Sequence, residues 1–158
     1  MQHLERINKS MFQKHIFRWS LVFMWMALIF YFSHQAGSES SSLSGGITEF
    51  LLQPFHLTSD QMSSFHTFIR KTAHFTVYFI LGLLLFHAIQ VSTAMKRTSL
   101  AFSIAILYAA SDEFHQTFIP GRSGELRDVA IDSVGSLTGI LTYFLCMMII
   151  KNARLQKA

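Results

Sequence analysis

Five ionisable side chains lie within about twenty residues of one another, between and within two apolar segments that are expected to be helical. They are Asp112, Glu113, Arg122, Asp128 and Asp132. A charged side chain at the centre of a membrane-spanning helix costs about 2.5–3.5 kcal/mol on insertion scales. Charges are therefore rare in such helices unless they face a partner, a cavity or a substrate. Carboxylates beside an arginine or a histidine can hold a polar ligand or transfer protons, so this stretch is the first candidate for function.

The spacing of other polar residues adds to this group. Lys71, His74 and Tyr78 follow an i, i+3, i+7 pattern, so one helix face carries all three. Asp112 and Gln116 are one turn apart on the next apolar segment, with Glu113 adjacent, and Asp128 and Asp132 are one turn apart on the last. We therefore predict one polar pocket whose candidate ligand-binding residues come from three helices: Lys71, His74, Tyr78, Asp112, Glu113, Gln116, Arg122, Asp128 and Asp132.

The elements that must position these residues are apolar helices. The chain has 158 residues, of which 51% are hydrophobic and 14% charged, whereas about a quarter of the residues in a soluble domain are charged. Four segments approach the roughly 20 apolar residues that cross a bilayer. They are residues 16–33, 72–91, 98–119 and 129–150. We predict an all-α integral membrane four-helix bundle that forms a single domain over residues 1–158.

The connections between the segments refine this prediction. A short apolar stretch at residues 47–55, stopped by Pro54, predicts a short interfacial helix in the first outer loop. A helix is expected to start near Asp60, where Thr58 and Ser59 can cap it. Gly135 and Gly139 allow another helix to approach the last segment closely. A cleaved signal peptide is the alternative for the first segment, but an uncleaved anchor is favoured because His34 occupies the small-residue position of the best cleavage site.

Basic residues predict the orientation. If the N-terminus is cytoplasmic, nine Lys and Arg residues fall on the inner side and four on the outer side. This asymmetry follows the positive-inside rule, so both termini are predicted to be cytoplasmic. All acidic residues except Glu5 then fall in the outer half, which indicates a pocket that faces outward.

Several classes are disfavoured by composition. The single cysteine, Cys146, cannot form an intramolecular disulfide or a cysteine-based metal site. Basic residues are scattered at helix ends rather than clustered, so nucleic-acid binding is not expected. A metal site from Asp112, His115 and Asp128 is conceivable, but its spacing matches no recognised signature. We therefore expect no metal and no cofactor.

The combined pattern is similar to that of VanZ-like membrane proteins. The residues that carry the resemblance are Lys71, His74 and Tyr78, then Ser111-Asp112-Glu113 with Gln116, then Pro120-Gly121-Arg122, Asp128, Gly135 and Gly139. Ser33-His34-Gln35 resembles the Ser-Gln motif of that family, with His34 where serine is frequent. The resemblance covers residues 20–145 and implies the plasma membrane of a bacterium. It also implies an effect on susceptibility to teicoplanin, a lipid-tailed glycopeptide antibiotic.

Four functions remain open at this level. In the favoured one, the pocket binds a lipid-linked envelope precursor or a lipoglycopeptide, with Lys71 and Arg122 contacting phosphate or carboxylate. In the second, a membrane-embedded enzyme acts on an envelope lipid. Its base is Glu113 or Asp112, and its partner is His74 or His115. The third is a structural salt-bridge network, and the fourth is a transporter. Membrane lipids are the expected partners, and homo-oligomerisation stays open.

Overall fold

The computed structural model describes residues 1–38, 42, 45–47, 50, 58–91 and 93–156, and these contain helices and no β-strand. The four long helices are α1 (Gln2–Ser33), α2 (Ser59–Ala88), α3 (Ala94–Gln116) and α4 (Leu126–Leu155). The all-α prediction is confirmed. Of the predicted interfacial segment 47–55, Ile47 and Phe50 are helical and exposed, and the other residues lie outside the described part of the chain.

Three of the described helices are long and apolar enough to cross a membrane: Asn8–Ser33 within α1, all of α2 and all of α4. Large apolar side chains are exposed along their outer faces, as expected for contact with lipid rather than water. These helices support a membrane protein. The predicted span at residues 98–119 lies mainly on α3, which is not among the three.

The start of α2 follows the prediction, whereas the ends of two helices do not. Thr58 forms a capping box with Gln61, and the helix begins at Ser59. The second predicted segment extends to residue 91, but α2 ends at Ala88 because Ile89 adopts an extended conformation. The guanidinium of Arg97 donates to the carbonyl oxygens of Phe86 and His87, so a side chain satisfies acceptors that a longer helix would have used.

The third predicted segment extends to residue 119, but α3 ends at Gln116. The next residues form a tight turn in which the N–H of Ile119 donates to the Gln116 carbonyl oxygen at 3.0 Å. Pro120 explains the early end, because a proline disfavours the α conformation in the residue before it. Gly121 then has a positive φ of 75°, which glycine adopts without strain. The Pro120 carbonyl oxygen accepts from the N–H of Gly37 at 3.0 Å, so this turn contacts the chain just after α1.

The closest helix pair is α2 and α4, which make the most extensive contact in the described chain. A Cβ atom on Gly82 would collide with the Ser136 carbonyl oxygen, and one on Gly139 would collide with that of Phe79. The backbones of the two helices therefore touch, as the glycine spacing predicts. This contact aligns the polar residues of α2 with those of α4.

Candidate functional site

Two ionisable pairs connect α2 to α4. Lys71 Nζ lies 3.0 Å from Asp128 Oδ1, and one turn along α2, His74 Nδ1 lies 3.3 Å from Asp132 Oδ1. Asp128 is 5% exposed and Asp132 is 0% exposed. The spacings of three residues on α2 and four on α4 each correspond to about one turn, so the pairs stack in register.

The acidic residues of α3 are linked through Gln116. Its side-chain nitrogen donates to Asp112 Oδ2 at 3.2 Å and to Glu113 Oε1 at 3.1 Å. The backbone N–H of Glu125, at the start of α4, donates to Glu113 Oε2 at 2.9 Å. Asp112, Glu113 and Gln116 are all buried. The carboxylates of α3 are therefore held in fixed positions.

Arg122, in the turn after α3, joins α1 to this group. Its Nη1 donates to Gln116 Oε1 at 3.1 Å, its Nη2 to the Phe32 carbonyl oxygen at 3.0 Å, and its Nε to the Gln35 carbonyl oxygen at 2.9 Å. Burial lowers the pKa of Arg122, opposed mainly by the charge of Asp112. An arginine remains charged in a protein, so the contact is a charge-assisted clamp on the carboxyl end of α1.

Beside these polar residues lies a cavity of about 320 Å³. Most of its lining is apolar, from side chains that include Trp25, Leu28, Ile29, Phe32, Ala73 and Val77. Polar side chains border the rest, including Arg70, His74, Tyr78, Asp112, Gln116 and Arg122. A separate depression along the first turns of α2 contains none of the polar group. The cavity therefore has apolar walls and one strongly polar region.

Several buried polar atoms at this site have no hydrogen-bond partner within the described residues. They are Ser33 Oγ, Tyr78 Oη, Asp112 Oδ1 and both carboxylate oxygens of Asp132. Buried polar groups are usually satisfied in native proteins, since leaving one unpaired costs about 1–3 kcal/mol. Tyr78 and Asp112 border the cavity, so a polar ligand there could satisfy them.

The nine predicted ligand-binding residues fall into two sets. Five of them border the cavity: His74, Tyr78, Asp112, Gln116 and Arg122. The other four, Lys71, Glu113, Asp128 and Asp132, contact members of that set or one another. The catalytic candidates Glu113, Asp112 and His74 are included, and no comparison tests the role of any of these residues.

His115 is the exception among the residues considered. The sequence left it open as an alternative to His74 beside a catalytic carboxylate, and as a conceivable but disfavoured metal ligand with Asp112 and Asp128. Instead its ring lies on the α1 side, where its Nε2 is 3.1 Å from His34 Nδ1 and the two rings stack. Within the described residues, a different set of potential metal donors converges: His74, Glu113 and Asp132.

Sequence reasoning missed the contribution of α1 and of Arg70. The α1 side chains form much of the apolar wall, and Ser33 and Gln35 border the cavity next to Arg70. The Ser33-His34-Gln35 motif was a usable signal for the end of α1. Arg70 is adjacent to Lys71 in sequence, and nothing in the helical spacing separated the arginine that reaches the cavity from the lysine that pairs with Asp128.

Comparison with known proteins gives one match. A family model described as VanZ/LLP1 matches residues 17–148, which include all of α2 and α3, most of α4 and about half of α1. No curated protein and no solved structure matches the chain.

Proposed function

This chain belongs to the VanZ/LLP1 family, and from that premise we propose that it binds a lipid-linked envelope component in the cavity bordered by His74 and Tyr78. In this proposal the protein lies in the bacterial plasma membrane as a four-helix domain, and binding alters glycopeptide susceptibility. The observation that carries the proposal is the cavity itself, whose apolar walls and polar region match the two parts of an amphipathic lipid.

The proposed topology has four spans: the three apolar helices described above and, in addition, α3. The two acidic side chains of α3, Asp112 and Glu113, are buried, whereas its exposed face carries uncharged residues such as Leu100, Leu107 and Phe114. Charges that turn inward do not oppose membrane insertion of the outer face. An even number of spans places both termini on the same side of the membrane. By the positive-inside rule, that side is the cytoplasm, because it carries more Lys and Arg residues.

A cysteine at position 123 tests this topology. In a Ser123→Cys, Cys146→Ser chain, a membrane-impermeant maleimide added to intact cells should label the protein, because four spans place the exposed turn outside. If α3 did not cross, the same turn would be cytoplasmic and labelling would require permeabilised cells. The Cys146→Ser chain without the new cysteine is the control, and labelling only after permeabilisation contradicts the proposal.

The cavity volume favours one class of ligand. Pockets for small ligands measure about 300–1,000 Å³, so about 320 Å³ accommodates a phosphate with a small sugar or peptide group. A lipoglycopeptide antibiotic is much larger and would leave most of its polar part outside. We therefore favour a lipid-linked envelope precursor as the ligand, with the lipid tail along the apolar wall of α1 and α2.

The polar contacts support an anionic head group with hydroxyl or amide groups. Arg70 borders the cavity and is exposed, so its guanidinium is available to a phosphate. Lys71 and Arg122, which sequence reasoning also chose for this role, contact Asp128 and Gln116, and Arg122 borders the cavity. Tyr78 Oη has no hydrogen-bond partner in the described chain, and it would bond to the sugar or peptide part beside Asp112.

Filling the cavity tests the proposal. Ala73→Trp places an indole in the cavity and is expected to reduce binding of a polyprenyl phosphate at least 10-fold, measured by native mass spectrometry of the purified protein. The matched control is Thr76→Trp, one turn away on an exposed part of α2 that does not border the cavity. Equal binding by both variants, or equal binding of a zwitterionic phospholipid by the unchanged protein, contradicts the proposal.

A catalytic role is the second candidate, favoured by the 3.3 Å approach of His74 to Asp132 with Glu113 nearby. An imidazole oriented by a carboxylate is a common general acid–base arrangement. Incubation of the protein with labelled lipid-linked precursors distinguishes the two functions. Product that depends on His74 indicates catalysis, and binding without turnover indicates the binding function alone.

A further inference from the structure

Asp132 is the least explained residue of the polar group. Its side chain is 0% exposed, and neither carboxylate oxygen receives a hydrogen bond within the described residues. His74 Nδ1 lies 3.3 Å from its Oδ1, farther than in a charge-assisted hydrogen bond of about 2.7–2.9 Å. An ionised carboxylate that is buried without hydrogen bonds is unfavourable unless a cation is close by.

Three potential metal donors converge at this point. Single donor atoms of His74, Glu113 and Asp132 all lie within 4.8 Å of one another. Donor atoms around a tetrahedral zinc with bonds of about 2.0–2.1 Å are roughly 3.3 Å apart, and the His74–Asp132 pair already has this separation. The Glu113 donor lies within 4.8 Å of the other two, so it would approach by at most about 1.5 Å when an ion binds.

The surroundings of Glu113 are those of a metal-ligating carboxylate. Gln116 donates to its Oε1 and the N–H of Glu125 donates to its Oε2, and each oxygen keeps a second lone pair. Hydrogen bonds of this kind orient the ligands of metal sites and raise metal affinity. Glu113 is thus held toward His74 and Asp132 before any ion binds.

The charge balance of the group also favours a dication. Four buried carboxylates, Asp112, Glu113, Asp128 and Asp132, are accompanied by two half-buried basic side chains, Lys71 and Arg122, while Arg70 at the cavity is exposed to solvent. Lys71 pairs with Asp128, and Arg122 lies close enough to Asp112 for their charges to interact. Two negative charges remain, on Glu113 and Asp132, if His74 is the neutral imidazole that metals require.

We propose that His74, Glu113 and Asp132 bind a divalent transition-metal ion, of which Zn²⁺ is the representative. The imidazole favours a transition metal over Mg²⁺ and Ca²⁺, which prefer oxygen donors alone. Three protein donors leave a coordination position open, as in catalytic zinc sites. His74 also borders the cavity, which provides a route for the ion and places it next to any head group that the cavity holds. The metal site does not depend on the proposed lipid binding.

The experiment measures metal binding by the full chain in detergent, with no lipid added. The protein is stripped with a chelator and dialysed against Zn²⁺, and bound zinc is measured by elemental analysis. Co²⁺ then replaces zinc, and its visible absorption reports the coordination geometry. We expect one Zn²⁺ per chain, unaffected by excess Mg²⁺, and a Co²⁺ spectrum with the intensity of a four- or five-coordinate ion.

Variants locate the site. His74→Ala and Asp132→Asn should weaken Zn²⁺ binding on the order of 100-fold or more, and Glu113→Gln should also weaken it. His115→Ala is the matched control, since it removes a histidine outside the donor set. Helical content and elution volume confirm that each variant is folded, and three separate variants keep the test valid if one of them does not fold.

Two results overturn the proposal. One is the absence of stoichiometric Zn²⁺ binding by the unchanged protein. The other is zinc binding at a different place. Binding that survives both His74→Ala and Asp132→Asn would show this, and loss of binding in His115→Ala would place the ion at the stacked pair of His34 and His115. Because the zinc is offered alone, a negative result here leaves the separate measurement of lipid binding unaffected.

Discussion

Gly82→Leu is expected to prevent the chain from forming a stable, monodisperse protein. The Cβ atom of any larger residue at this position would occupy the space of the Ser136 carbonyl oxygen, so α2 and α4 would have to separate. Separation would also break the Lys71–Asp128 and His74–Asp132 pairs that span these helices. We expect a loss of more than about 4 kcal/mol, at the far end of single-substitution effects. Fluorescence-detected gel filtration with a heating series measures it.

The chain offers a matched control at Gly45, where an added Cβ atom would meet nothing within 4 Å. Gly45→Leu should change stability by no more than about 0.5 kcal/mol, as surface substitutions usually do. The stability loss of Gly82→Ala should lie between those of Gly82→Leu and Gly45→Leu, because alanine adds only the Cβ atom. A Gly82→Leu protein with unchanged elution and melting temperature would contradict the close contact of α2 with α4.

Helical spacing predicted which polar residues share a helix face. The i, i+3 pattern of Lys71 and His74 and the i, i+4 pattern of Asp128 and Asp132 each correspond to one turn, and the structure pairs them in that order. Gly139 indicated where two backbones approach, and it lies against Phe79. Periodicity carries this information because side-chain direction on a helix follows directly from position in the sequence.

Spacing along one helix could not predict which side chains on different helices contact each other. The stacking of His115 on His34 depends on how α1 packs beside α3, and the residue pattern of α3 alone does not determine how the two helices pack. The same holds for the convergence of His74, Glu113 and Asp132, which come from three different helices. The metal set that sequence proximity made conceivable, Asp112, His115 and Asp128, therefore shares no residue with the donors that converge.

The role of Arg122 was obscured for a related reason. An arginine in a turn above acidic residues suggests contact with an external anion, and its backbone acceptors on α1 are invisible in a sequence. In the structure the guanidinium donates to the carbonyl oxygens of Phe32 and Gln35 and to the side chain of Gln116. Because Gln116 in turn bonds to Asp112 and Glu113, Arg122 connects α1 to the acidic residues of α3.

Arg122→Ala is therefore expected to destabilise the protein and to abolish binding in the cavity together. Hydrogen bonds with a charged donor contribute about 1.5–3 kcal/mol each, and partial exposure at this site reduces that value, so we expect a loss of about 3–5 kcal/mol for the three bonds. Without Arg122, Gln116 can turn away from the two carboxylates, and the end of α1 can leave the cavity wall. Melting temperature and polyprenyl phosphate binding are measured on the same preparation, with Arg127→Ala, an exposed arginine of α4, as the control.

Arg122→Lys separates the two roles that Arg122 could have. A lysine keeps the positive charge, but a single ammonium on a flexible chain cannot reproduce the planar fork that reaches three acceptors at once. If Arg122 clamps α1 to Gln116, the lysine variant should lose nearly as much stability and binding as the alanine variant. Full recovery of both properties by lysine would instead show that the charge alone matters, and Arg122 would then belong with Arg70 among the residues that attract the head group.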